Sequence, residues 1–388
     1  MGRGKGLSCG VCKRYLVIRW GAWGDILYAL PTIEALRKEC DYLHFETGSR
    51  GEILLRHHPA FSRITTYDVS QCPSEKWTDV ALGRWKDLEE SESWGKAVNF
   101  YHCIEVDGIA EEWQQEFFYP RERRRNIYGS RNFYEAHFER AGIPIPDPFD
   151  CVTVYFPDDV MEWREEWERR HSGKFVVAIA LNGSTAQKFP QYWKALVEEI
   201  SGSFQDVSFV LLGDGAGEAL RFTLSRGNVL FTAGTWPYMQ SLMMMQMADY
   251  AIGPETGLMV GAGLFGTPKS MICTSCSPYQ ATKYHKNDFS LQAAASCSPC
   301  HRAIYNPKWC NGREHEWGWM PECNHGCNFN RILEGVEFAK NVRGLRRQVD
   351  RCEGPGFGSL PDLRALHDLQ TDRSEEIRSG ILREVQPL

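Results

Sequence analysis

The chain has 388 residues, 43% of them hydrophobic, and a net charge of −6. That length exceeds one small core and points to two domains. No apolar run approaches the roughly 20 residues that span a bilayer, and the acidic balance excludes a chain whose bulk charge seeks a polyanion, so any such contact has to come from a local patch.

The opening MGRGKGLSCGVCK is basic and glycine-rich and lacks the apolar core of a signal peptide. It reads as a flexible leader over 1–13, and the expected location is the cytoplasm. RYLVIRWGAWGDILYALPTIEALRKE follows. It predicts a short strand over 16–19, a glycine turn, and a helix over 26–38, with Asp25 at the lip of the turn. Strands are expected over 42–46 and 97–100, and a helix over 132–141. Between Arg121 and Arg131 lies the basic stretch RERRRNIYGSR, with aromatics on both sides. A charged helix over 161–171 leads into the second half.

There the alternation restarts. KFVVAIALNGS predicts a strand and a turn, and the segment 190–200 carries Trp193, Leu196, Val197 and Ile200 on one helical face. SFVLLGDGAG and NVLFTAG read as strands, 238–247 as a Met-rich helix, DYAIG as a strand, and PETGLMVGAGLFGTP as the start of a helix. Strand–helix alternation in both halves predicts α/β layers with parallel sheets. The last 40-odd residues, rich in charge, read as a surface helix and a loose tail. No internal repeat is visible.

Several turns carry residues suited to chemistry. In LNGSTAQKFPQYW, Ser184, Thr185 and Lys188 precede a helix, where free N–H groups and the helix dipole favour a diphosphate; an ordinary capped turn is the plainer reading. Glu255 stands where a strand hands over to a helix, at the sheet edge where α/β proteins bind ligands, and can accept from sugar hydroxyls or simply cap the helix. Gly257, Gly261, Gly263 and Gly266 are too many glycines for an ordinary helix and imply close approach to a ligand or a neighbouring element. Ser275, Ser277, Thr282 and Lys283 follow the strand-like SMIC and form either a further phosphate contact or a surface loop.

Fourteen cysteines are many for a reducing compartment, where clustered thiols read as metal ligands rather than disulfides. Cys297, Cys300, Cys310, Cys323 and Cys327 have the spacing C-x2-C-x9-C-x12-C-x3-C, the pattern of a tetrahedral structural metal site, with disulfides or free thiols as the other reading. Five thiols exceed four ligands, so Cys327 and Cys323 are alternatives for the last position. The pair Cys9/Cys12 reads as part of the leader, and Cys273/Cys276 as packing at a strand end.

In order, these motifs resemble the ADP-heptose:lipopolysaccharide heptosyltransferase family, glycosyltransferase family 9. The resemblance rests on IRWGAWGDILYALPTIEALR, the GST–Lys turn, FVLLGDG, AGTWPYMQSLMMMQMADYAIGPETG and the C-S-P-C segment, and it spans about 15–342. It implies a GT-B fold, with two Rossmann-like domains facing each other across a cleft: an acceptor domain over 14–160 and a donor domain over 161–342. The cysteine-rich insertion 297–327 belongs to the second, and 343–388 forms the closing helix and tail. The implied reaction is inverting transfer from a nucleotide-diphospho-sugar to a hydroxyl, with no metal needed for the chemistry. Asp25 then matches the general base. Ser184, Thr185, Lys188, Gly213 and Lys283 fall on the donor side, and Glu255, Thr256, Gly257 and Leu258 match the donor motif Asp-Thr-Gly-Leu with glutamate in place of aspartate. Many members have histidine two places after that leucine; this chain has Val260, which opens the donor sugar beyond heptose. The C-S-P-C segment resembles an iron-binding four-cysteine finger of protein-modifying members, so zinc or iron is the expected structural ion.

On the acceptor side the expected residues are Trp23, Gly24, His102, Glu105, Arg121, Arg124, Arg125 and Tyr128. His102 competes with Asp25 as base or is a packed core histidine. Arginines beside aromatics suit phosphorylated lipopolysaccharide core and also DNA or RNA, or form a solvated face; the acceptor options are lipopolysaccharide core, a protein side chain, or hydroxymethylated bases of phage-type DNA. Two other classes compete: an NAD-dependent Rossmann dehydrogenase, with Glu46 ending the second strand, and a non-catalytic metal-stabilised nucleic-acid-binding module. Against the first, the turn G-A-W-G-D lacks G-x-G-x-x-G.

Overall fold

The structure, a computed structural model, describes residues 12–68, 77–101, 103–104, 131–147, 149, 152–224, 227–301, 312–315 and 318–352. The chain divides into two compact units: the elements before Glu112 together with Tyr134–Asp147, and the remainder. Among the described residues no helix is long and apolar enough to cross a membrane.

In the first unit the strands are β1 (Arg14–Arg19), β2 (Tyr42–Thr47), β3 (Arg63–Thr66) and β4 (Lys96–Asn99). They form one sheet in the order β3-β2-β1-β4, and each pairing is parallel. Leu16, Val17 and Ile18 are fully buried, as a central strand covered on both faces requires. The helices are α1 (Trp23–Arg37), α2 (Ser49–Leu55), α3 (Trp77–Ser91) and α4 (Phe133–Ala141). α1 buries residues on nearly all sides, Ile26, Leu27, Leu30, Ile33 and Leu36 among them, and keeps Pro31 in its interior. It starts at Trp23, three residues earlier than the sequence reading expects, which makes Asp25 the third helical residue rather than a turn residue. Leu16, Ile18 and Trp20 pack with Ala81 and Leu88 of α3.

Beneath that packing, Glu46 is completely buried. Arg84 of α3 donates to both its oxygens, at 2.9 and 2.7 Å, and Thr65 Oγ1 donates at 3.2 Å. A dinucleotide reading needs this carboxylate for ribose hydroxyls. Here an internal fork takes it.

The second unit holds β5 (Phe175–Ala180), β6 (Val207–Leu212), β7 (Val229–Phe231), β8 (Tyr250–Pro254), β9 (Lys269–Cys273) and β10 (Leu291–Gln292). They form a parallel sheet in the order β10-β9-β8-β5-β6-β7. Around it lie α5 (Asp158–His171), α6 (Trp193–Ser203), α7 (Arg221–Leu224), α8 (Tyr238–Met247), α9 (Gly257–Leu264), α10 (Pro278–Thr282) and α11 (Phe329–Cys352), with an antiparallel hairpin of β11 (Gly312–His315) and β12 (Gly318–Pro321). Val177, Ile179, Trp193, Leu196 and Ile200 share one core with Ile332 and Val336 of α11.

Both sheets reverse direction once. The first runs outward from β1 to β3 and places β4 on β1's other side. The second runs outward from β5 to β7 and returns with β8 on β5's other side. At such a reversal the loops leaving the two strands diverge and open a crevice at the carboxyl edge. The loop after β1 lies at the first reversal, and the loops after β5 and β8 flank the second.

His44 in β2 bonds Thr65 Oγ1 through Nε2 at 2.8 Å. Burial, with Arg63, Arg84 and Arg14 adding to it and Glu92 opposing, pulls its pKa from 6.5 to about 4. The folded state therefore holds a neutral ring where the unfolded chain would be protonated. This stabilises the fold fully above about pH 6.5 and is lost as pH falls towards 4, with a ceiling of about 3 kcal/mol. Denaturant unfolding of the His44→Gln chain is expected to lose part of the wild-type slope between those pH values; an identical slope would refute this origin.

Candidate active site

At the first reversal, Arg19 closes β1 with a side chain only 1% exposed. Its Nη2 lies 3.6 Å from Asp25 Oδ1 and its Nε donates to the Asp25 carbonyl at 3.4 Å. Asp25 Oδ2 accepts the Ala22 N–H at 2.8 Å, the return bond of a capping box. Gly21 makes this possible: its φ is +136°, and a Cβ there would stand 2.6 Å from Asp25 Oδ2. Trp23 and Gly24 are the first two residues of α1. The result is a carboxylate at a helix N-terminus, oriented by a buried guanidinium and one-quarter exposed. Such a group can take a proton, but its charge opposes an incoming diphosphate.

The second reversal has the opposite character. After β5 the chain folds into a tight turn in which Gly183 N–H donates to the Lys188 carbonyl at 2.8 Å and Lys188 N–H to the Thr185 carbonyl at 2.9 Å. A Cβ on Gly183 would meet Lys188 Cβ at 2.8 Å and Thr256 Cγ2 at 3.0 Å. Only glycine lets the β5 and β8 loops close on each other here. Lys188 Nζ reaches to 4.0 Å from Glu255 Oε1. The hydroxyls of Thr185 and Thr256 are buried and, among the described residues, take no hydrogen bond. Ser184 is exposed beside them. Thr256 is the N-cap of α9, and Gly257 and Leu258 form its first turn, whose N–H groups have no intrahelical acceptor. Gly213, after β6, leaves room for Asn182, whose Oδ1 would lie 2.5 Å from a Cβ; Asn182 Nδ2 donates to Asp214 at 2.6 Å.

Glu255 is held more tightly than the sequence indicates. Its Oε1 accepts Thr274 Oγ1–H at 2.9 Å and Ser275 N–H at 2.8 Å, together with the Ser275 hydroxyl, while Oε2 accepts Thr274 N–H and, at 3.5 Å, the Cys276 thiol. The carboxylate thus pins the loop after β9 to the end of β8. Ser277 spends its hydroxyl on capping α10, accepting Gln280 N–H at 3.3 Å. Lys283, at the end of α10, donates to Tyr279 Oη at 3.2 Å and sits over the Tyr279 and Tyr284 rings. The glycines of α9 serve packing: a Cβ on Gly261 would meet Leu242 Cδ1 at 2.3 Å, and one on Gly263 would meet His285 Nδ1 at 2.2 Å.

Of the predicted metal ligands, Cys297, Cys300 and Cys327 are half-buried and Cys323 is buried. Burial raises the Cys323 pKa, with Cys300 and Cys297 adding to it. Burial pushes the Cys327 thiol up to about 12. Three ligand atoms within 4.8 Å of one another occur, among the described residues, at Glu255, Cys273 and Cys276, all buried. Cys310 lies outside the described residues, as do His102, Glu105, Arg121, Arg124, Arg125 and Tyr128.

Replacing Glu255 by glutamine puts an amide NH2 among N–H and O–H donors. Glu255→Gln is expected to lower stability by about 1–3 kcal/mol and to speed hydrogen exchange at the Thr274 and Ser275 amides. Unchanged protection of both amides would contradict the clamp.

No protein-family model matches the chain, and no curated protein matches it. Solved structures do. A glycosyl transferase family 9 protein from Veillonella parvula is 11% identical, with 84% of this chain and 97% of that one covered at a TM-score of 0.60. The ADP-heptose lps heptosyltransferase II of E. coli is 12% identical over 85% of this chain and 99% of that one, at 0.56. The iron-containing dodecameric glycosyltransferase TibC of enterotoxigenic E. coli is 13% identical over 85% and 79%, at 0.50. At these identities the likeness is one of fold: two α/β units, each a parallel sheet flanked by helices, as in GT-B proteins.

Proposed function

We propose that the chain is an inverting glycosyltransferase that moves a sugar from a nucleotide-diphospho-sugar to an acceptor hydroxyl. One observation carries the reading. The reversal in the second sheet brings together an ammonium, two buried hydroxyls that take no hydrogen bond among the described residues, and a helix N-terminus, all of which suit a diphosphate.

In this reading Lys188, Thr185, Thr256 and the first turn of α9 take the donor's phosphates and stabilise the charge that grows on the leaving nucleoside diphosphate. Ser184, Gly213, Gly257 and Leu258 complete the donor side. Glu255 contributes by fixing Lys188 and the loop after β9, and Lys283 by its place on α10. The acceptor hydroxyl loses its proton to Asp25 as it attacks the anomeric carbon, and Arg19 orients that base. Trp23 and Gly24 flank it. ADP-heptose is the first donor to try, because the E. coli protein of like fold is named for it; the acceptor is a glycan such as lipopolysaccharide core. The C-S-P-C segment, with Cys323 beside it, takes a structural zinc or iron ion.

The dehydrogenase reading loses support on two counts. Glu46 is engaged by Arg84, and the first glycine turn presents a carboxylate where pyrophosphate would approach.

Incubation with a panel of nucleotide sugars, with nucleoside diphosphate release followed by mass spectrometry, tests the proposal. Asp25→Asn is expected to slow transfer roughly 100- to 10,000-fold while donor binding persists. Lys188→Ala is expected to weaken binding of the nucleoside diphosphate about 10- to 100-fold. Transfer that survives Asp25→Asn would remove the base assignment, and binding indifferent to Lys188→Ala would remove the donor assignment.

A further inference from the structure

β8 and β9 pair in parallel with Pro254 opposite Ile272, so the next residues on each strand, Glu255 and Cys273, emerge side by side. The chain then turns within three residues and brings Cys276 back to the same point. That turn is fixed from outside: Gln292 Nε2 donates to the carbonyls of Cys273 at 2.6 Å and Cys276 at 3.1 Å, and the Ser298 hydroxyl donates to the Thr274 carbonyl at 2.7 Å. From inside, the Glu255 carboxylate collects the Thr274 and Ser275 amides. All three side chains are buried, with exposures of 8% at Glu255, 0% at Cys273 and 6% at Cys276.

We propose that Glu255, Cys273 and Cys276 form a buried binding site for a thiolate-preferring divalent transition-metal ion, zinc foremost, separate from the C-S-P-C segment. The spacing C-x2-C across a tight turn is the ligand pair of a zinc knuckle. The three ligand atoms already lie within 4.8 Å of one another. Tetrahedral zinc with sulfur and oxygen ligands spaces them at roughly 3.5 Å, so about an ångström of closure completes the set.

The charge balance favours binding. A divalent ion that displaces two thiol protons adds no net charge to the buried site, because two positive charges enter with the metal and two leave as protons. The carboxylate's single negative charge remains, with the Lys188 ammonium 4.0 Å away. No oxidant or reductant is involved. Two sulfurs and one oxygen select zinc or iron over magnesium and calcium. One coordination position stays open to water or a further ligand. The site stands whether or not the chain transfers sugars.

The test uses the full chain carrying Cys297→Ser and Cys300→Ser, which removes the C-S-P-C ligands, titrated with cobalt(II) under reducing conditions. One ion per chain is expected, with a thiolate-to-cobalt charge-transfer band. Glu255→Gln in the same background should weaken binding at least about tenfold, and Cys276→Ser should diminish the band. Because either change can disturb folding, X-ray absorption of the zinc-loaded parent chain provides a second reading and should resolve two sulfurs with lighter ligands. A parent chain that binds no cobalt, a band indifferent to Cys276→Ser, or a coordination sphere without two sulfurs would each overturn the proposal. Because nucleoside diphosphate binding is read separately, its failure is distinguishable from loss of this site.

Discussion

A carboxylate in the interior of an α/β unit has to be answered by donors, and Glu255 sets that demand at the end of β8. The loop after β9 meets it with two backbone amides and two hydroxyls, and Lys188 brings the β5 loop to 4.0 Å. Without that charge, three loops from three strands would have no common anchor. With it, the crevice opened by the strand reversal acquires a fixed wall on the β8–β9 side and a cation on the β5 side. Gly183 is the steric counterpart, since any side chain there would drive Lys188 away from Thr256.

The two units repeat one local plan, strand, turn and helix at a sheet reversal, with opposite electrostatics. After β1 the helix N-terminus is already occupied by Asp25, bound to the Ala22 amide and oriented by Arg19. After β5 and β8 the corresponding positions carry an ammonium, hydroxyls and the first-turn amides of α9. Under the proposed function, that contrast in charge gives anion binding to the second and proton acceptance to the first. The fold shared with glycosyltransferase structures is compatible with many activities, so function lies in these residues rather than in the architecture.

Most elements are legible from apolar patterning and turn residues: β1, β2, β4 to β8, α4, α5, α6 and α8 all fall where the sequence places them within a few residues, and α1 begins three residues early. β3 is not legible, because RITT is a short edge strand with exposed ends and no apolar alternation. α3 escapes a sequence reading because its apolar residues are diluted among charges, although Ala81 and Leu88 anchor it. At the site, Asp25, Lys188 and Glu255 stand out because each lies where a strand hands over to a helix, Glu255 directly after β8 and the other two within the connection or the first helical turn. Arg19 does not: an arginine at the end of an apolar strand reads as a solvent-facing residue, and its burial depends on Asp25 and the fold around it. The Glu46–Arg84 fork is equally invisible, since strand and helix must be folded before the pair exists. The glycines of α9 were legible as crowding, and Leu242 and His285 explain it. Cys273 and Cys276 read as packing because their third partner, Glu255, is supplied by the neighbouring strand.

The central claim is that the second sheet's reversal, and not the glycine turn after β1, receives the nucleotide. Hydrogen exchange of the full chain with and without a saturating nucleoside diphosphate measures this directly. Protection is expected at the amides of 183–188 and at the first turn of α9, with the turn from Gly21 to Asp25 unaffected. Protection confined to that first turn, with the second reversal unchanged, would contradict the account.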